Sequence, residues 1–439
     1  MISRPARKKE LAIVIPHLGD GGVQRVVSIL ANIWSGQGRR LCVISLYKDD
    51  EAYTLDKSIE HIRLYDWQYG GFLLMIIESL RLKVERLKNL KLFLVLMDYL
   101  EKAGFFTAIS SLNKTLLKFI IRLSSLGLIS GLWKIHLPIF FRVQKLRQAI
   151  DYTGAPVVLS FCGSANIMSI LAGKPLGKKV IISERNDPCR QKLEFPWNAM
   201  RSIFYGQADV VTANSRGALP YLEKYVLPEK LLFVPNPLPQ PPQYPVDGPG
   251  SVKGNPHRIL IVARLHRQKG HKILLDAFAQ CSPSLKNWCL SIVGRGDLKE
   301  DLQQQAKELG IDQLVDWHGQ VNNPFDYYRS ADLFVLPSLH EGMPNALLEA
   351  MSCGLAVVIS DASPGPLELI EHGQTGWVVP VNDATALARA MVRLAQDPAL
   401  RSSLGEAARA SILCGKPSIT LTIWEKLLGW QTEGKIDDY

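Results

Sequence analysis

Two glutamates stand eight residues apart in the segment 338–351, Glu341 before a predicted helix and Glu349 inside it. Pro344 suits the first helical turn, because a residue at that position needs no partner for its N–H. The backbone N–H groups of 342–346 would lie at the positive end of this helix, where they favour an anion. The carboxylate of Glu349 could then accept hydrogen bonds from a vicinal diol such as ribose, and that of Glu341 from sugar hydroxyls. A surface helix with two ordinary glutamates is the alternative.

Two cations, Arg264 and Lys269, follow the predicted strand 257–263. Ligands bind at the carboxyl ends of strands in a doubly wound sheet, and this pair suits a pyrophosphate, because arginine can contact two oxygens and lysine supplies a point charge. Gly294 and Gly296 follow the next strand and would let a nucleotide approach the backbone closely. The third glycine of a dinucleotide-binding fingerprint is missing. A solvated basic loop and a tight turn without a ligand stay open as alternatives for these two motifs.

Strands that alternate with helices position these residues. In the first part of the chain, apolar runs predict strands and apolar spacing predicts a helix: strands 11–15, 41–46, 156–160, 179–183 and 209–213, and helix 23–34. In the second part, the predicted strands are 257–263, 288–293, 314–318, 333–336 and 356–359, and the predicted helices are 270–280, 298–309, 324–330 and 344–352. This rhythm predicts an α/β fold with two Rossmann-like, doubly wound domains that face a cleft.

The predicted domains are an N-terminal domain over 1–235 and a second domain over 257–415. Residues 68–150 are predicted to be a basic, amphipathic helical insertion in the N-terminal domain. The segment 235–256 carries eight prolines in 22 residues, a composition that sustains neither helix nor sheet, so 236–256 is interpreted as a linker. Residues 416–439 are expected to form a C-terminal helix and tail that packs back on the N-terminal domain.

The formal net charge of +10 is concentrated in one segment of the 439-residue chain. Residues 63–150 hold 14 Lys and Arg against 5 Asp and Glu, whereas residues 151–439 hold 28 against 29. The basic residues of this segment alternate with apolar residues such as Leu, Ile and Phe, whereas a nucleic-acid footprint usually alternates them with aromatic and polar side chains. The pattern therefore excludes nucleic acid and favours contact with an anionic membrane surface. An extra helical layer with a solvated basic rim is the alternative.

The cysteines and the N-terminus indicate a cytoplasmic protein. None of the seven cysteines forms a C-x-x-C motif or has a histidine at metal-ligand spacing, which favours buried free thiols in a reducing compartment. The apolar run 11–15 is too short for a signal peptide, and no apolar stretch approaches the roughly 20 residues that span a bilayer. No Asp-x-Asp motif stands at a strand end, so no metal is expected.

At these residues the chain resembles glycosyltransferase family 4, nucleotide-sugar-dependent retaining enzymes of the GT-B fold. The resemblance covers about 259–397 and is carried by Arg264, Lys269-Gly270, Gly294-Arg-Gly296, 341–351, Cys353-Gly354 and 376–380. The segments 21–25, 183–188 and 214–215 look like the acceptor half of the same family. The insertion 68–150 departs from the family pattern, which usually crosses this region in fewer residues.

The resemblance implies a role for each matching position. Arg264 and Lys269 would hold the donor diphosphate and stabilise it as it leaves, and Glu341 would bind the transferred sugar, so these three are the predicted catalytic residues. Glu349 would bind the ribose. The predicted donor-binding residues are Gly21, Gly22, Gly294, Gly296, Gly342, Met343, Pro344, Asn345, Ala346 and Glu349. The residues predicted on the acceptor side are Glu184, Arg185 and Asn186.

The predicted function is that of a retaining glycosyltransferase. It would transfer a hexose or N-acetylhexosamine from a nucleotide-diphosphate sugar, UDP- or GDP-linked, to a hydroxyl of a lipid-linked oligosaccharide or a surface-polysaccharide precursor. The sugar nucleotide is a co-substrate, and no other cofactor is expected. The expected location is the cytoplasm, peripheral on the cytoplasmic face of the membrane through 68–150. A sugar-nucleotide epimerase of the same fold and a catalytically silent binding protein are the alternatives.

Overall fold

Two parallel β-sheets organise the chain in the computed structural model, which describes residues 8–19, 21–49, 51–66, 130–191, 193–238, 256–321, 323–413 and 416–431. The strands of the first sheet are β1 (Leu11–Ile15), β2 (Leu41–Ser45), β3 (Glu60–Arg63), β4 (Val157–Phe161), β5 (Lys179–Glu184), β6 (Val210–Ala213) and β7 (Leu231–Phe233). The strands of the second sheet are β8 (His257–Val262), β9 (Trp288–Val293), β10 (Val315–Gly319), β11 (Leu333–Leu336), β12 (Ala356–Ser360) and β13 (Trp377–Val379).

The strand order is doubly wound in both sheets: β3-β2-β1-β4-β5-β6-β7 in the first and β10-β9-β8-β11-β12-β13 in the second. All of these strand pairs are parallel. The predicted α/β fold with two Rossmann-like domains is therefore confirmed. The residues built around each sheet are called the first domain and the second domain below.

The α-helices of the described residues fall into the same two groups. In the first domain they are α1 (Gly22–Gly36), α2 (Ser130–Thr153), α3 (Gly163–Gly173), α4 (Trp197–Phe204) and α5 (Leu219–Leu222). The second domain continues with α6 (His271–Cys281), α7 (Lys299–Glu308), α8 (Phe325–Ser330), α9 (Asn345–Ser352), α10 (Pro364–Leu367), α11 (Ala384–Gln396) and α12 (Pro398–Leu413), and α13 (Lys416–Leu428) follows it in the chain. None of the helices in these ranges is both long and apolar enough to cross a membrane.

The central strands form because their sequences can be buried on both faces. All five residues of β1 are buried, as are all six of β9. Such continuous apolar runs are typical of parallel strands that helices cover on both sides. The short strands β3, β7 and β13 were not predicted, because each has only three or four residues and partly exposed side chains. They pair at or towards the outer parts of the sheets, where a strand can form with fewer buried apolar side chains.

Helix α2 corrects the predicted insertion 68–150 at its C-terminal end. Ile139, Val143, Leu146 and Ile150 are buried in the core of the first domain, at the spacing of one helix face. They are therefore unavailable to a membrane, and the last dozen residues of the predicted insertion belong to the α/β framework. The part of the prediction that covers 68–129 lies outside the described residues.

Helix α13 packs on the first sheet, although it follows the second domain in the chain. Its Ile423, Trp424 and Leu427 are buried in the same apolar cluster as β1 and α1. Just beyond it, the ring of Trp430 lies edge-on to that of Trp34, with the centroids 5.3 Å apart. The chain therefore passes from one sheet to the other and returns.

Candidate active site

A cavity of about 250 Å³ lies between the carboxyl ends of the two sheets. Because both sheets are parallel, the loops that follow β1, β5, β8, β9 and β11 meet at this edge. The predicted residues that line the cavity are Gly21, Gly22, Arg185, Asn186, Arg264, Lys269, Gly294, Glu341, Met343, Pro344, Asn345, Ala346 and Glu349. Thirteen of the predicted site residues are thus brought together from both domains.

Lys269 and Glu341 form an ion pair in this cavity, with Nζ 2.5 Å from Oε1. Ser338 donates a second hydrogen bond to the same oxygen, at 2.7 Å. The local geometry depends on Gly270, which has a φ of +70°, and whose absent side chain leaves room for the carbonyl oxygen of Pro337. This close approach brings the Lys269 turn against the loop that carries Glu341.

Arg264 contributes a second cation with a different environment. Its side chain lines the cavity and is exposed to it. It stands two residues after the end of β8, so the strand positions its backbone while the guanidinium stays accessible. The site therefore combines one cation held by a carboxylate with one that faces the open cavity.

Two helix N-termini converge on the same space. Helix α9 begins at Asn345 and helix α1 begins at Gly22, and Nδ2 of Asn345 donates a hydrogen bond to the carbonyl oxygen of Gly22 at 2.7 Å. Pro344 precedes the first residue of α9, close to the predicted first turn. Helix N-termini carry partial positive charge and free N–H groups, which together stabilise an anion.

Glu349 is buried and already has partners on both carboxylate oxygens. Nε of Arg25 lies 2.5 Å from Oε1, and the hydroxyl of Tyr328 donates to Oε2 at 2.9 Å. Burial raises the pKa of Glu349, while Arg25 and the Tyr328 hydrogen bond oppose that rise. No role is predicted for Arg25 from the sequence. The available signal was its position one helical turn after Gly21 and Gly22.

Three predicted residues do not line the cavity. Gly296 packs against the backbone of Leu265, and a Cβ on Gly342 would stand 2.7 Å from the carbonyl oxygen of Arg185. Gly342 thus allows the two domains to touch. Glu184 is 2% exposed, accepts a hydrogen bond from the Tyr205 hydroxyl at 2.8 Å and faces Arg201. The partners of Glu184 are therefore interior residues, and its acceptor-side role stays a prediction.

Arg185 lines the cavity but is itself 8% exposed. Its guanidinium lies over the rings of Phe161 and Trp424, with Cζ 5.1 Å and 5.6 Å from their centroids. Burial lowers the pKa of Arg185 to about 9. Its Nη1 donates to Oδ1 of Asn236. Asn236 is not predictable as a site residue, because a single asparagine in a proline-rich stretch carries no pattern.

Asn186 and its neighbour Asp187 face the second domain. Oδ1 of Asn186 lies 3.5 Å from Nδ1 of His340, and the hydroxyl of Ser363 donates to Oδ2 of Asp187 at 3.0 Å. The Ser363 hydroxyl also accepts a hydrogen bond from the backbone N–H of Glu341, at 3.1 Å. The loop that holds Glu341 is thus tied to the first domain.

Metal ligands and thiols take little part in this geometry. Within the described ranges no three His, Cys, Asp or Glu side chains come together as a metal site. The cysteines of those ranges are free thiols: Cys42, Cys162, Cys189, Cys281, Cys289 and Cys353. Burial raises the pKa of Cys162 to about 12, so that thiol is protonated at neutral pH.

The comparison with protein families matches residues 249–411 to the model for glycosyl transferases group 1. Among curated proteins, the chain is 27% identical over 274 residues to the N-acetylgalactosamine-N,N'-diacetylbacillosaminyl-diphospho-undecaprenol 4-alpha-N-acetylgalactosaminyltransferase of Campylobacter jejuni, which covers 60% of this chain and 73% of that protein. It is 38% identical over 165 residues to the amylovoran biosynthesis glycosyltransferase AmsK of Erwinia amylovora, over 36% of this chain and 40% of that protein. These matches support glycosyltransferase activity.

Solved structures show the same fold over nearly the whole chain. Sucrose-phosphate synthase from Thermosynechococcus elongatus superposes with a TM-score of 0.66 at 18% identity, over 95% of this chain and 98% of that one. Anabaena HepE in complex with UDP and glucose superposes with a TM-score of 0.66 at 16% identity, over 96% and 100%. Together with the two parallel sheets, these neighbours identify the fold as GT-B.

Proposed function

We propose that this protein is a retaining glycosyltransferase that moves a hexose or N-acetylhexosamine from a nucleotide-diphosphate sugar to an acceptor hydroxyl. The observation that carries the proposal is the convergence of Arg264, Lys269 and the N-termini of α1 and α9 on one cavity beside Glu341. Such a set of fixed positive groups suits a diphosphate better than a neutral ligand. The carboxylates of Glu341 and Glu349 then suit the hydroxyls at either end of that diphosphate.

Catalysis in this proposal is mainly electrostatic. Negative charge develops on the diphosphate as its bond to the anomeric carbon breaks, and Arg264, Lys269 and the two helix N-termini stabilise that charge. The acceptor hydroxyl forms the new bond on the face from which the diphosphate leaves, and its proton passes to the departing phosphate oxygen. Glu341, held by Lys269 and Ser338, orients the transferred sugar.

The acceptor class rests on the relatives and on the sequence. The Campylobacter relative is named for a diphospho-undecaprenol-linked substrate, and the Erwinia relative for the biosynthesis of amylovoran. We therefore propose a lipid-linked oligosaccharide or a surface-polysaccharide precursor as acceptor. The donor is proposed to be UDP- or GDP-linked, with no additional cofactor.

A donor panel tests the proposal directly. Purified protein is incubated with UDP-glucose, UDP-N-acetylglucosamine, UDP-N-acetylgalactosamine and GDP-mannose, each with and without a bacterial lipid extract, and nucleoside diphosphate release is measured. We expect one donor to release its nucleoside diphosphate, and only when the extract is present. The NMR coupling constant of the product should show the same anomeric configuration as the donor. An inverted product would contradict the retaining mechanism.

The same panel separates the alternative functions. A sugar-nucleotide epimerase would convert a donor sugar into its epimer without any lipid acceptor. A catalytically silent binding protein would bind a donor and leave it unchanged. Either result in the donor panel would replace transfer as the function.

We also propose that residues 68–129 attach the protein to the cytoplasmic face of an anionic membrane. Their basic residues include Lys83, Arg86, Lys88 and Lys91, set between apolar runs. The wild-type protein should co-sediment with vesicles of phosphatidylglycerol and phosphatidylcholine at low salt. Replacement of these four residues with Gln should leave most of the protein in the supernatant. Unchanged sedimentation of the substituted protein would contradict this attachment.

A further inference from the structure

We propose that Arg25 is a positioning residue that pairs with Glu349, so that the ribose hydroxyls of a donor must displace it from that carboxylate. This inference rests on the proposed function, in which Glu349 binds the ribose. Arg25 would then set how much affinity the donor gains from its ribose, and it would do so without contacting the reacting atoms.

The geometry places Arg25 in competition with a ribose. Arg25 lies on α1 of the first domain and Glu349 on α9 of the second, so their contact spans the cleft. Oε1 of Glu349 lies 2.5 Å from Nε of Arg25, and Oε2 accepts a hydrogen bond from the Tyr328 hydroxyl. A vicinal diol that binds a carboxylate in a bidentate manner donates one hydrogen bond to each oxygen, so it needs Oε1 as well as Oε2. The guanidinium and the diol therefore require the same oxygen.

The surroundings make this pair stronger than an ion pair on the surface. The side chain of Glu349 is 4% exposed and that of Arg25 is 18% exposed. Cζ of Arg25 lies 5.8 Å from the ring centroid of Phe325, which excludes water from one side. Pairs removed from water are screened weakly, and a buried carboxylate without a partner is costly. Arg25 therefore supplies the counter-charge that the buried carboxylate of Glu349 needs.

Arg25 can leave Glu349 without leaving the cavity, because its own side chain is part of the cavity lining. It is therefore free to exchange partners when a nucleotide enters. Any contact that the released guanidinium makes elsewhere on the nucleotide is shared by nucleotides with and without ribose hydroxyls. A comparison of such nucleotides isolates the competition at Glu349 from every other effect of Arg25.

The test measures that comparison by isothermal titration calorimetry. Dissociation constants are determined for UDP, GDP and their 2′,3′-dideoxy counterparts with the wild-type protein and with Arg25→Gln. Competition predicts that removing Arg25 raises the ratio of the dideoxy to the ribose dissociation constant by about fivefold, equivalent to about 1 kcal/mol. If Arg25 instead orients Glu349 for the ribose, the ratio falls. A ratio that falls or stays unchanged overturns the inference.

Two further variants complete the design. Arg39→Gln removes an arginine that pairs with Glu10 outside the cavity, and its ratio should equal that of the wild type. Arg25→Lys keeps the charge but loses Nε, so it should raise the ratio of the dissociation constants by less than Arg25→Gln does. It also replaces Arg25→Gln in the test if that variant does not fold. A wild-type protein that binds neither UDP nor GDP contradicts the proposed function itself. Binding with an unchanged ratio overturns the role of Arg25 alone.

Discussion

Arg185 and Asn236 are joined by a hydrogen bond, from Nη1 to Oδ1, at 2.6 Å. Asn236 stands where the chain leaves the first sheet, three residues after β7. Its amide nitrogen donates in turn to the carbonyl oxygen of Met343, at 2.8 Å, and to Oδ1 of Asn345, at 2.6 Å. One asparagine side chain therefore connects a buried guanidinium of the first domain to the start of α9 in the second.

Asn236→Ala should destabilise the protein by about 1–3 kcal/mol, because it leaves a buried guanidinium N–H and a buried carbonyl oxygen without partners. Urea unfolding followed by circular dichroism measures the effect. Asn198→Ala is the matched control, since Asn198 is exposed on α4. Equal unfolding midpoints for the two variants would show that the Asn236 contacts contribute no net stability.

Gly342→Ala should hold the two domains apart. The new Cβ would stand 2.7 Å from the carbonyl oxygen of Arg185 and from Oδ1 of Asn214, and relief of that overlap requires the domains to separate. We expect a larger radius of gyration by small-angle X-ray scattering and weaker nucleotide binding. Gly36→Ala is the control, because no heavy atom lies within 4 Å of its added Cβ. A compact Gly342→Ala protein with wild-type affinity would contradict the prediction.

Lys269→Ala should lower sugar transfer by about 10²- to 10³-fold, the usual effect of removing one fixed group that stabilises developing negative charge. Glu341→Gln should also lower transfer, since an amide loses the ion pair with Lys269. Initial rates of nucleoside diphosphate release measure both. Lys272→Ala removes a nearby exposed lysine that does not line the cavity, and it should keep the wild-type rate. Full activity of Lys269→Ala would exclude Lys269 from the chemistry.

His271 should make the protein less stable in mild acid. Its side chain is 2% exposed, and burial lowers its pKa from 6.5 to about 3. Between these values the unfolded chain binds a proton that the folded chain does not, so the free energy of unfolding falls as the pH falls below 6.5. The contribution reaches about 1.4 kcal/mol per pH unit.

His271→Leu should remove that contribution. Urea unfolding at pH 7.5, 6.5, 5.5 and 5.0 should show a smaller loss of stability for this variant than for the wild type. The exposed His372→Gln is the control and should follow the wild type. Parallel pH profiles for His271→Leu and the wild type would mean that His271 is protonated without cost in the folded protein.

The fold and most of the cavity lining were predictable because their signals are local. Continuous apolar runs such as Leu11–Ile15 are buried strands, and loops that follow parallel strands meet at one edge of the sheet. The position of Lys269 and Glu341 in two such loops was enough to bring them together, although they are 72 residues apart.

The contacts across the cleft were not predictable from those signals. Arg25 meets Glu349 and Asn236 meets Asn345 only because of how the two domains are placed, and no periodicity encodes that placement. Glu184 is the opposite case, since this charged residue of a recognisable motif is predicted on the acceptor side, whereas its partners in the structure are Tyr205 and Arg201 in the interior.

Because α13 packs on the first sheet, it determines which segment of the chain can be exchanged between related enzymes. A hybrid made by a single junction in 239–255 would remove Ile423 and Trp424 from the core that contains β1 and α1. It would also remove the Trp424 ring that lies against the guanidinium of Arg185. A hybrid with a new donor specificity therefore needs two junctions, one on each side of 256–413, so that the native α13 stays with the first sheet.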